Sequence, residues 1–228
     1  MRLMKSTIAV TTLLLLGLST VVSAASKPHV LVFGKWITVK LLRDHEEDEP
    51  LEWKVRPLYI DAKLREYTSG VPHEISDRLF VVRRVLRLND ALPEEAAGSA
   101  HWIWQPAGWL AVDRETGHIS PVSLPDFDPD YSSATWYRDY VAYCGFADDG
   151  KKRFAMVMQV GRRKPLLRKA IGEASGEARN SHCSSPTWQR RPPRVTFASQ
   201  ADQKFTFAVR RHAVETISSD DDDDAGTE

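Results

Sequence analysis

RDYVAYCGFADDGKKRFAMVMQV, Arg138 to Val160, is the stretch that decides the fold. Tyr140 to Gly145 is a run of aromatic, β-branched and small residues, and Phe154 to Val160 is a second apolar run. Between them stands Ala147-Asp148-Asp149-Gly150-Lys151, where glycine supplies the positive backbone angle of a tight turn. Two short apolar runs about an Asp-Gly turn predict a β-hairpin. Phe154 to Val160 is apolar on both faces, which predicts a central strand covered on both sides.

The same grammar repeats outward. Trp109 to Val112, the polar turn Asp113 to Gly117, and His118 to Val122 predict a second hairpin. In Leu79 to Leu88, Phe80, Val82, Leu86 and Leu88 share one face of a strand. Leu79, Val82 and Leu86 also fit a helix capped by Ser76 or Asp77, and the valine content favours the strand. Earlier strands are expected at His29–Phe33, Trp36–Leu42, Trp53–Ile60 and Ala62–Thr68. Arg43–Pro50 reads as an acidic loop, and Thr68–His73 and Pro93–Gly98 as connections. Later, Gly161 to Lys164 turns the chain into Leu166–Lys169. Ala170 to Pro186 reads as a loop, followed by strands at Arg194–Ala198 and Phe205–Arg211.

The expected fold is therefore all-β, an antiparallel meander of about 10–12 strands in a small β-propeller-like, sandwich or open-barrel architecture. Val-Asp-x-x-Thr-Gly-x-Ile (Val112–Ile119) and Asp-Asp-Gly-Lys-Lys-x-Phe (Asp148–Phe154) resemble the blade turns of β-propellers. That resemblance implies about four or five blades in a chain of this length.

The beginning of the sequence sets the expected compartment. Arg2 and Lys5 precede the apolar run Ile8 to Leu18, and Val22-Ser23-Ala24 supplies small residues for a peptidase. This is the layout of a cleaved secretory signal over residues 1–25, and it points to a secreted or periplasmic protein. Residues 26–217 read as a single all-β domain. Residues 218–228 hold Asp220 to Asp224 and Glu228, a block of like charge expected to be disordered. The chain as a whole is balanced, with 31 basic and 31 acidic residues. Without the signal and the acidic block the body leans basic. No further long apolar run follows, so no transmembrane segment is expected in the mature chain. Cys144 and Cys183, the two cysteines of the sequence, are expected to form a disulfide in an exported chain.

No complete catalytic or metal motif is present. Asp126, Asp128 and Asp130 alternate like the start of a calcium loop. Tyr131 and Tyr137 occupy the places where an EF-hand needs glycine and a bidentate glutamate, so only an irregular calcium site survives. Otherwise no cofactor is expected. Trp102, Trp104, Trp109, Trp136 and Tyr137 form a candidate aromatic binding platform, weighed against a role in the core. Two basic groups, Arg162-Arg163-Lys164 with Arg168-Lys169, and Arg190-Arg191 with Arg194, suit an acidic glycan, a lipid headgroup or a partner. They also suit the plainer task of blunting sheet edges. Nucleic acid is a poor match for an exported chain.

The resulting expectation is a non-catalytic binding or scaffold module, acting on a glycan or an envelope protein. A carbohydrate-active enzyme is the alternative, with paired carboxylates drawn from Asp113, Glu115, Asp126, Asp128 and Asp139. A subunit of a surface or envelope assembly is the second alternative.

Overall fold

The computed structural model describes residues 28–41, 51–91, 100–147, 149–173, 184–198 and 203–217. The expected signal, the loops Arg43–Pro50 and Pro93–Gly98, Cys183 and the acidic run 218–228 lie outside the described residues. Among the described residues every regular element is a strand, and none is a helix long and apolar enough to cross a membrane.

The strands are β1 (Leu31–Phe33), β2 (Ile37–Leu41), β3 (Leu51–Ile60), β4 (Lys63–Glu74), β5 (Leu79–Asn89), β6 (Trp102–Asp113) and β7 (Ile119–Val122) in a first sheet. The second sheet holds β8 (Ala134–Tyr137), β9 (Tyr140–Phe146), β10 (Lys152–Gln159) and β11 (Leu167–Glu173). The third holds β12 (Thr187–Arg190), β13 (Pro193–Ala198), β14 (Lys204–Arg210) and β15 (Ala213–Thr216). These fifteen strands exceed the expected number. The additional ones include β8, β12 and β15, each four residues long. None carries a long apolar run, so periodicity could not mark them.

In the first sheet, β3 is the organising strand. β2 and β1 pair in succession along one edge of it, and β4 pairs along the other. The chain continues through β5 and β6, and β6 meets β2 in a single parallel pair, Leu41 opposite Trp104. The pairing is thus partly ring-like, and one contact is all that returns it to β2. The expected turn at Thr68–His73 is instead an irregularity inside β4, between Ser69 and His73. Gly70 at φ 71° lets the strand bend there and resume pairing with β5. Leu79–Asn89 is a strand, not a helix. Its Phe80 and Val82 join Leu58, Leu110 and Val112 in one core, while Val85 joins Val39, Leu41 and Val55 in another.

The second and third sheets are plain meanders, and the three sheets stack as layers in a sandwich-like all-β fold. The second sheet is the middle layer. Its Val141, Tyr143, Met156 and Met158 pack in a core on one side with Leu124, Phe127 and Trp136. Its Ala142, Cys144, Ala155 and Val157 meet Val195, Phe197, Phe207 and Val209 of the third sheet on the other. Every residue from Tyr140 to Gly145 and from Arg153 to Met158 is buried. The expectation of a central strand covered on both faces therefore holds. Burying such side chains contributes roughly 1.5–3 kcal/mol each before entropy is set against it. The turn at Gly150 has φ 67°, as the Asp-Gly sequence requires. Gly145 has a different reason. A Cβ there would lie 3.0 Å from both Asp126 Cβ, where the Asp126 main chain runs against β9, and Met156 Cγ on the neighbouring β10.

Candidate functional site

Topology gathers charge at one end of the molecule. In a meander, alternate turns fall at the same end of the sheet. The β8–β9 and β10–β11 turns of the second sheet therefore share an end, as do the β12–β13 and β14–β15 turns of the third. Side chains then join the two pairs. Tyr137 Oη donates to the carbonyl of Arg190 at 3.2 Å. Tyr140 Oη donates to the carbonyl of Arg211. The Gln159 amide binds Asp139 Oδ2 through Nε2 at 2.7 Å and His212 Nδ1 through Oε1 at 3.1 Å.

The sequence places cations in all four turns. Arg138 lies in the β8–β9 turn, and Arg162, Arg163 and Lys164 in the β10–β11 turn. Arg190 and Arg191 mark the β12–β13 turn, and Arg210 and Arg211 the β14–β15 turn. All eight side chains are exposed. Among the described residues the acids at this end are few. Asp139 is held by Gln159, and Glu215 lies 3.8 Å from Arg210. Glu74, next to His73, is taken by Arg114 at 2.7 Å. The result is a dense positive surface, where each added cation is less favourable for folding and more favourable for an anion.

Two of these arginines sit where glycine would be easier. Arg138 has φ 53° and Arg211 φ 46°. For an ordinary residue such left-handed backbone costs about 1–2 kcal/mol. Each has its carbonyl captured: His73 Nε2 lies 2.7 Å from the Arg138 oxygen, and Tyr140 binds that of Arg211.

The structure groups the expected basic residues differently from the sequence. Arg168 and Lys169 leave the turn and climb β11. There Arg168 pairs with Asp126 at 2.9 Å and covers the Phe154 ring at 3.6 Å, while Lys169 stands over Phe205 and Phe207. Arg194 belongs to β13, paired with Gln189 and Ala208. Arg138, Arg210 and Arg211 join the cluster instead. Their neighbourhood follows from stacking of two sheets, for which the sequence offers no local signal.

The five candidate aromatics fall into three separate places. Trp102 and Trp104 flank the Arg87 guanidinium at 4.3 and 5.6 Å, and Trp104 meets Tyr67 edge-on at 4.9 Å. Trp109 and Trp136 meet between the first and second sheets, ring centroids 5.1 Å apart, with His73 stacked on Trp136. Tyr137 packs on Trp188 at 5.5 Å, between the second and third sheets. Trp188, absent from the expected platform, also donates its indole N–H to the Thr135 carbonyl.

The acids are likewise spoken for. Arg78 bridges Asp113 and Glu115, each at 2.7 Å. The Arg78 hydrogen bond, joined by the backbone N–H groups of Thr116 and Glu115, holds the Asp113 carboxyl well below the usual range. A general acid needs the opposite shift. Asp126 faces Arg168, and Asp128 Oδ1 accepts the backbone N–H groups of Asp130 and Tyr131 in a turn. Among the described residues no three of His, Cys, Asp and Glu stand together as metal ligands. No protein-family model, curated protein or solved structure matches the chain.

Proposed function

We propose that the protein is an exported, non-catalytic binding module whose four-turn basic end engages an acidic glycan. One observation carries this reading: cations from four hairpin turns of two sheets converge on one surface, where the acids among the described residues, Asp139, Glu215 and Glu74, lie against Gln159, Arg210 and Arg114. Arginine suits it, since a planar guanidinium matches a carboxylate or sulfate with paired hydrogen bonds. The rigid double-sheet support would spare the ordering entropy of a loop-borne site. The employment of Asp113, Glu115, Asp126 and Asp128 in ion pairs and turns favours binding over hydrolysis. Export rests on the signal-like residues 1–25, and a Cys144–Cys183 bond would suit that destination.

The test is retention on immobilised acidic and neutral polysaccharides at low and physiological salt. Retention on the acidic polymer alone, weakened by salt, is expected. Equal retention on both, or cleavage of either, would overturn the reading.

A further inference from the structure

We infer a second site: a cavity of about 320 Å³ between the first and second sheets, built to hold a small amphiphile with an apolar body and an anionic head. Its origin lies in register. Ala111 on β6 faces Ser120 on β7 as a cross-strand pair. The neighbouring pair, Trp109 with Val122, is bulky, and the Trp109 ring fills the interface against Trp136. Where two small side chains oppose each other, the layers cannot close, and a hollow remains.

The walls of that hollow are mostly apolar, with Leu79 and Val122 from the first sheet, Val141 and Met158 from the second, and Val160 just past the end of β10. Arg162 and Arg163, in the β10–β11 turn, also line it. Both are exposed, and neither has a carboxylate within ion-pair distance among the described residues. Apolar walls with a few placed polar groups define a small-molecule site, and the volume falls at the lower end of such pockets. With two cations and no acid among its described lining residues, the pocket selects an anionic headgroup. A medium-chain carboxylate has the required chemistry: its chain replaces water against the half-buried Leu79, Val122 and Val160 above the buried floor of Val141 and Met158, and its head meets the two guanidinium groups. The cavity shares Arg162 and Arg163 with the polymer-binding surface but stands on its own geometry.

Calorimetry with decanoate and decanol on the full chain tests this. One decanoate per chain is expected, about tenfold tighter than decanol, the ratio a charge-assisted contact supports. Changing Arg162 and Arg163 to serine should erase that preference while decanol still binds. Ser120→Trp should fill the hollow and abolish decanoate binding, with retention on acidic polysaccharide unchanged. Ala111→Leu, a smaller intrusion, should weaken decanoate severalfold if Ser120→Trp proves unfolded by its thermal melt. Absence of decanoate binding to the parent chain would overturn the site. So would full binding by a folded Ser120→Trp or Ala111→Leu protein. Loss of polymer retention alone would sink the glycan reading and leave the cavity standing.

Discussion

Arg138 and Arg211 occupy equivalent positions in stacked hairpins of two different sheets. Each is the first residue of a two-residue turn, each has left-handed backbone, and each has its carbonyl bound by a side chain from elsewhere. A charged side chain is thus held where the chain prefers none. If both positions serve binding, glycine should expose a trade. Arg138→Gly and Arg211→Gly should each stabilise the fold by about 0.5–1 kcal/mol in urea unfolding, as left-handed strain is relieved. Each should also lower retention on acidic polysaccharide. Stabilisation with undiminished retention would mean the arginines are incidental.

Charge reversal separates the turns from the strands. Arg191→Glu together with Arg163→Glu should weaken acidic-polymer binding by about tenfold or more at low salt, a difference of about 1.4 kcal/mol or greater. The effect should shrink toward physiological ionic strength. Lys152→Glu, at the start of β10 and away from those turns, should change little. Affinity chromatography across a salt series measures both.

Asp113 gives a pH signature. Its folded-state carboxyl lies below the ordinary value, with Arg78 the first cause. A depressed acid contributes stability above its unfolded pKa and loses it as pH falls through the folded one. The stability advantage of the parent protein over Asp113→Asn should therefore be constant near neutrality. It should begin to decline below about pH 4, where unfolded carboxyls titrate. Chemical denaturation at several acid pH values would reveal it, and an advantage growing with acidity would contradict it.

Tyr143 predicts the alkaline counterpart. Its ring is fully buried, its hydroxyl donates to the Pro125 carbonyl at 2.7 Å, and burial raises its ionisation above the normal phenol range. Stability linked to it is present below about pH 10, the unfolded value, and is lost as pH rises beyond that. Spectroscopic titration should find a tyrosine that ionises only as the protein unfolds. Tyr143→Phe should cost about 1–3 kcal/mol, because the Pro125 oxygen loses its donor inside the fold.

For the proposed crosslink, the denatured but unreduced protein should show no reactive thiol. Closing a loop of about 39 residues should contribute roughly 4 kcal/mol on the chain-entropy account. Reduction should then lower the unfolding midpoint. Two titratable thiols in freshly exported protein would exclude the bond.

The hairpins were legible wherever an apolar run met a glycine turn, as at Asp113–Gly117 and Asp149–Gly150. They were also legible where burial on both faces left an unbroken apolar strand, as in β10. Short strands escaped. Trp188 and Gln189 on β12 are ordered by pairing with Val195 and Arg194 and not by any pattern of their own. Ala170 and Gly172 read as loop because small residues precede a polar stretch, yet they pair with Phe154 and Arg153 of β10 as part of β11. The site was legible in its chemistry and not in its assembly. Arg162 and Arg191 were visible as basic groups. Their meeting with Arg138 and Arg211 depends on Tyr137 and Tyr140 reaching across to another sheet, a contact that spans more than fifty residues of chain.

The doubly covered middle layer also constrains how this protein can change over evolutionary time. With Tyr140 to Gly145 and Arg153 to Met158 buried between neighbours, a change of side-chain size there disturbs the packing on both faces of the sheet. Novelty comes most easily at the hairpin tips, where side chains such as Arg138, Arg191 and Arg211 are exposed. Such a laminate diversifies at its rim and keeps its heart fixed, so descendants with different ligands should share the filling and differ in the crust.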